Sequence, residues 1–140
     1  MWRCPGCGKT FVTRNMWHSC RRQELEALFE GCAPYVFRLY RKFERMVCAC
    51  GPITINPQKR GIAFQVRVRA LGCVPRKTYL RIGLAFRRPR RHSRFVKVQT
   101  HSPRFHAHWI VVRSETELDA QVERWIREAY AVAAQHAPRR

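Results

Sequence analysis

Carboxylates are scarce in this chain. Nine Asp and Glu stand against 28 Lys and Arg among 140 residues, which gives a formal net charge of +19. None of the nine lies between Arg45 and Ser114, although 16 of the basic residues do. Such a stretch lacks the usual means of holding Mg²⁺ or activating water, so hydrolytic chemistry is disfavoured there. Lysine is scarce too, 5 against 23 arginines. A GC-rich genome would explain that choice of cation as well as function would, but it does not explain the missing acids. No run approaches the roughly 20 apolar residues that span a bilayer. The N-terminus, Met1-Trp2-Arg3-Cys4, lacks the apolar core of a signal peptide. The expectation is a cytoplasmic, reducing compartment and no membrane partner. Gly-rich phosphate loops, nucleophile elbows and paired carboxylates are absent.

What is present begins with cysteine. There are seven, an odd count that fits metal ligands and buried thiols better than a disulfide framework. Cys4-Pro5-Gly6-Cys7-Gly8 is a tight turn that aims two thiolates at one point, and His18 and Cys20 follow. Zn²⁺ takes four such ligands in a tetrahedron. The spacing is close to that of a ββα finger, with Phe11 and Trp17 at its apolar positions, but the second helical ligand is missing near residues 24–26. The ligand set read here is therefore Cys4, Cys7, His18 and Cys20 around one structural zinc, with Glu24 and Cys32 as substitutes. Metal here serves folding at least as readily as nucleic-acid reading. Cys32, Cys48, Cys50 and Cys73 read as small buried apolar residues.

The expected organisation is a zinc knuckle over residues 1–22 and a basic domain over residues 23–140. Leu25, Leu28 and Phe29 fit a short amphipathic helix stopped at Gly31. Pro34 suits the first turn of a longer helix carrying Val36, Leu39, Tyr40, Phe43, Met46, Val47 and Cys50, ended by Gly51-Pro52. The apolar period then becomes two. Strands are expected at Ile53 to Ile55, Ile62 to Val68, Tyr79 to Phe86, Phe95 to Gln99 and Phe105 to Val112. Ser114-Glu115-Thr116-Glu117 is a capping box that launches a last helix, with Leu118, Val122, Trp125, Ile126, Ala129 and Tyr130 inward. This pattern predicts an α+β fold, an antiparallel sheet with helices packed on one face, preceded by the small zinc-finger-like knuckle.

If the apolar alternates face the helices, the other sheet face collects Gln65, Arg67, Arg69, Tyr79 and Arg81, with Lys97 and Gln99, and His106 and His108 as candidates to join it. The run Arg87, Arg88, Arg90, Arg91 and Arg94 forms an arm that could track a phosphate backbone. Guanidinium groups and an aromatic ring on one sheet face suit a binder of RNA or single strands.

Several segments resemble a bacterial family catalogued as domain of unknown function 5655: Cys4-Pro5-x-Cys7-Gly8, His18-Ser19-Cys20, Asn56-Pro57-Gln58-Lys59, Ile62-Ala63-Phe64-Gln65, Pro75-Arg76-Lys77 and His108-Trp109. The resemblance implies a compact α+β fold and no reaction. It marks Gln58, Lys59, Arg76, Lys77 and His108 as places to look for a polar site. The combined expectation is a small zinc-containing protein that binds DNA or RNA, mainly at phosphates. Lys59, Arg67, Arg69, Arg76, Lys77, Arg81, Arg87, Arg88, Arg90, Arg91, Arg94 and Lys97 would supply charge and Tyr79 a stacking surface. The alternative is a protein-interaction module or accessory subunit docking on an acidic protein or a ribonucleoprotein. Gln58, His106 and His108 make up a candidate polar site, and an enzyme built around His106, His108 and nearby Lys or Arg is the weakest reading.

Overall fold

The structure, a computed structural model, describes residues 25–135 together with a short antiparallel ladder of β1 (Trp2–Arg3) and β2 (Thr10–Phe11). The proposed zinc ligands Cys4, Cys7, His18 and Cys20, and the substitute Glu24, lie outside the described residues.

Residues 25–30 form a helical turn closed by i+3 bonds, and Gly31 reverses the chain at φ +80°. Helix α1 (Pro34–Cys48) starts where proline has already fixed the backbone angle the first turn needs. Its spacing puts Val36, Leu39, Tyr40, Phe43 and Val47 on one buried stripe. Past its end, Gly51 sits at φ +146°, where the Tyr130 hydroxyl crosses to donate to Pro52 O at 2.6 Å.

Six strands follow: β3 (Thr54–Pro57), β4 (Ile62–Gln65), β5 (Arg69–Pro75), β6 (Leu80–Phe86), β7 (Lys97–Ser102) and β8 (Phe105–Val112). They form one antiparallel sheet in the order β3-β4-β5-β6-β8-β7. Strand β5 is absent from the sequence expectation, which carries β4 on to Val68. In the structure β4 ends at Gln65 beside a register shift, and residues 66–68 bend away. There the amides of Arg67 and Val68 both donate to Ala133 O, at 2.8 and 2.9 Å. Ala70 and Leu71 are both buried and Gly72 interrupts the pattern, so β5 shows no alternation to read.

Helix α2 (Ala120–Ala133) and α1 both pack on β5 and β6. The register places Ile55, Phe64, Leu71, Leu84, His108 and Val98 in one row facing the helices. Phe43 meets Phe64 edge-on, with ring centroids 5.3 Å apart. Each fully buried side chain of this kind contributes about 1.5–3 kcal/mol by leaving water. The capping box launches something shorter than expected. Glu117 accepts the Ser114 amide at 3.1 Å, but it closes a single 3₁₀ turn, and α2 starts later on Asp119, whose carboxylate accepts the Val122 amide at 3.1 Å.

Strands β6 and β7 are parallel, since both pair antiparallel with β8 between them. Residues 87–96 make the crossover as a strap on the helix side, where Phe95 packs on Trp125 with centroids 4.7 Å apart. Among the described residues no helix is long and apolar enough to cross a membrane.

Candidate nucleic-acid interface

The sheet face turned away from the helices is built from the alternate residues. One row crosses all six strands: Asn56, Ala63, Gly72, Gly83, Trp109 and Lys97. Val74, Arg81 and Val111 form the next row on one side, and Ala85, Ala107 and Gln99 the next on the other. Small residues keep the middle of this face low. At Gly83 a Cβ would stand 2.8 Å from Cζ3 of Trp109, so glycine is what lets the indole lie on β6. The indole N–H donates to Gln99 Oε1 at 3.0 Å, and the Arg81 guanidinium stands over the ring, 4.7 Å from its centroid. Beside it a hollow of about 520 Å³ is lined by Gln58, Lys59, Arg60, Ala63, Gly72 and Trp109 among others.

Cations edge this face. Lys59 and Arg60 occupy the β3–β4 turn, closed by Gln58 N to Gly61 O at 2.7 Å, and Arg76 and Lys77 the β5–β6 turn, closed by Arg76 N to Tyr79 O at 2.9 Å. Alternate hairpins of an antiparallel sheet fall at the same end, so these four stand along one border. Gln58, Lys59, Arg76 and Lys77 are exposed there. The Arg113 guanidinium lies 5.3 Å from the Tyr79 ring centroid, so Tyr79 already carries a cation. Arg69 is exposed and its Nε donates to Gln65 Oε1 at 3.4 Å, while Arg67 is exposed at the 66–68 bend.

Two arginines of the arm, Arg90 and Arg94, meet acids of α2 and its N-cap. Arg90 is paired with Glu128 and lies over Phe86. Arg94 reaches both Asp119 oxygens at 3.2 Å and donates to Glu117 O at 2.6 Å. Desolvation pushes the Asp119 carboxyl up, but the Val122 amide and Arg94 outweigh it and hold it below the usual carboxylate range. Arg88 and Arg91 remain exposed on the strap, and Arg87 is half-buried.

His106 and His108 do not join the outer face. They pair with Phe86 and Leu84 on the core side and are 6% and 0% exposed. Both faces of β8 are similarly apolar, so alternation alone could not choose between them; pairing with β6 and cover from the strap do. His108 Nδ1 donates to His106 O at 2.8 Å and its Nε2 accepts the Arg90 amide at 2.9 Å. His106 spends its nitrogens on Thr100 Oγ1 at 2.9 Å and Pro103 O at 3.1 Å. Their ring atoms are used in holding the strap and the β7–β8 turn. The same inversion puts Trp109 outward, a residue the sequence expectation overlooked together with Arg60 and Arg113; fixing Ile110 and Val112 as core would have found it.

Of the cysteines, Cys73 is buried, and burial pushes its thiol up. Cys32 and Cys50 are half-buried and Cys48 is exposed, which departs from the expectation of buried thiols. Among the described residues no group of three or more His, Cys, Asp or Glu could hold a metal ion.

The family model described as Domain of unknown function (DUF5655) matches residues 25–133. No curated protein and no solved structure matches the chain.

Proposed function

We propose that this chain, which belongs to the DUF5655 family by a match over most of its length, is a small nucleic-acid-binding protein that grips phosphates with the outer face of its sheet. One observation carries the reading. Every strand of the six-stranded sheet and every segment joining them lies in the stretch without a carboxylate, while Glu44, Glu115, Glu117, Asp119, Glu123 and Glu128 belong to the helical side. The molecule is thereby polarised, with an uncompensated cationic face that attracts a polyanion. Lys59, Arg69, Arg76, Lys77, Arg81 and Lys97 supply the charge, joined by Arg60 and Arg113. Arg90 and Arg94 serve the strap instead.

The test is anisotropy of labelled DNA and RNA oligonucleotides across a salt series. Affinity is expected to fall linearly on a log–log plot, each neutralised phosphate adding about 0.7–0.9 to the slope. No binding at low salt, or a flat salt response, overturns the reading.

The proposal includes one structural zinc on Cys4, Cys7, His18 and Cys20, supported by the donor set and by the β1–β2 ladder, whose connecting sequence contains Cys4 and Cys7. A cytoplasmic, reducing setting would keep those thiols available. A second reading, docking on an acidic protein or ribonucleoprotein, is favoured by edge strand β7, beside which Val96 and Val98 are 59% and 41% exposed. Such an edge accepts an added strand. Pull-down with and without nuclease separates the two, because an interaction that survives nuclease belongs to protein.

A further inference from the structure

The outer face has a feature that phosphate binding does not use: a hollow beside an indole, in the middle of the cations. We infer that this hollow receives an unpaired nucleobase, so that the ligand of the face is single-stranded nucleic acid; the inference rests on the nucleic-acid reading above.

The floor is backbone and methyl groups, because Ala63 and Gly72 are neighbours across β4 and β5. A flat group can therefore approach the sheet closely. Trp109 forms one wall, and its ring is fixed in place by Gly83 beneath, by the bond to Gln99 at 3.0 Å and by Arg81. A wall fixed before binding loses little freedom when a base packs against it. The opposite wall is the β3–β4 turn, where Gln58 offers an amide to a base edge and Lys59 and Arg60 offer charge to the adjoining phosphate. The hollow holds about 520 Å³, within the range of small-ligand sites. Among the described residues no carboxylate lines it.

Dimensions argue against a duplex. Six strands at about 4.8 Å spacing make a face about 24 Å across, twice the roughly 12 Å of a major groove. A duplex keeps its bases paired and stacked, so it could meet this face only through its backbone and would leave the hollow empty. A single strand can turn a base inward while its phosphates follow Lys59, Arg60, Arg81 and Lys97, as sheet-based binders do in general.

The experiment compares oligothymidine, oligouridine and a duplex of equal length at one salt concentration, for the full chain and for Trp109→Leu, Trp109→Phe and Ala63→Leu. The wild type is expected to bind both single strands more tightly than duplex. Trp109→Leu should weaken single-strand binding about 5- to 150-fold, the range for losing one stacked base, and weaken duplex binding less. Trp109→Phe should keep the preference. Ala63→Leu fills the hollow while retaining the indole, so it should lose the preference even if Trp109→Leu folds poorly. Equal binding of single strands and duplex by the wild type, or equal weakening of both by these variants, overturns the base site while leaving phosphate binding standing. Absence of binding to all three overturns both.

Discussion

His108 makes the stability of this fold depend on pH in a way that can be isolated. Its ring is fully buried, with the rings of Phe86 and Phe95 each 4.8 Å away. One nitrogen donates to His106 O and the other accepts the Arg90 amide, so the folded state requires the neutral imidazole with its proton on Nδ1. A second proton on Nε2 would point at an N–H. Burial lowers the pKa below the ordinary histidine value; the bond to His106 O opposes this and the Arg90 charge adds to it. Above about pH 6.5 both folded and unfolded chains are neutral here and the full stability is present. As pH falls below that value the unfolded chain takes up a proton that the folded chain refuses, and stability declines until the lowered folded pKa is reached. One such site can contribute a slope of at most about 1.4 kcal/mol per pH unit, and about 1 kcal/mol between pH 6.5 and 5.5 while the folded ring stays neutral. The assay is urea unfolding at stepped pH for the wild type and for His108→Gln, which keeps an acceptor for Arg90 but does not titrate. Other histidines contribute to both proteins, so the difference in slope belongs to His108. The variant should start less stable and fall less steeply below pH 6.5. Parallel curves would refute the neutral, strap-holding role.

Two further outcomes follow from the contacts. Arg94→Gln should cost about 1–2 kcal/mol in urea unfolding, by loosening the strap from Asp119 and Glu117 O, while leaving the salt dependence of binding unchanged. Metal analysis should find one zinc per chain, and Cys4→Ser should lower its retention; full retention would contradict the proposed ligand set.

The two helices were legible because their apolar positions recur at 3.6 and because Pro34 and the Gly51-Pro52 pair mark the ends of the first. Strand β6 was legible because Leu80, Ile82, Leu84 and Phe86 alternate with polar or small residues. Strand β5 was not, since a register shift at Gln65 and two adjacent buried residues, Ala70 and Leu71, erase the alternation. The candidate site was legible as charge and misread as shape. Counting arginines could not show that Arg90 and Arg94 would meet Glu128 and Asp119, because those pairs join residues 38 and 25 positions apart. In β8 the side facing the core depends on pairing and on the strap, which local pattern does not contain. Trp109 and the low row of Ala63, Gly72 and Gly83 emerge only when four strands are laid side by side.

The central claim, that nucleic acid is held by the outer sheet face and not by the arginine strap, is tested most directly by comparing the salt slopes of two sets of charge-removing variants. Lys59→Gln, Arg81→Gln and Lys97→Gln combined should lower the log–log slope by about 2 to 2.7 while the fold persists. Arg88→Gln with Arg91→Gln, which removes two exposed cations of the strap, should leave the slope in place. A slope that falls with the strap pair and not with the sheet triple would contradict the account.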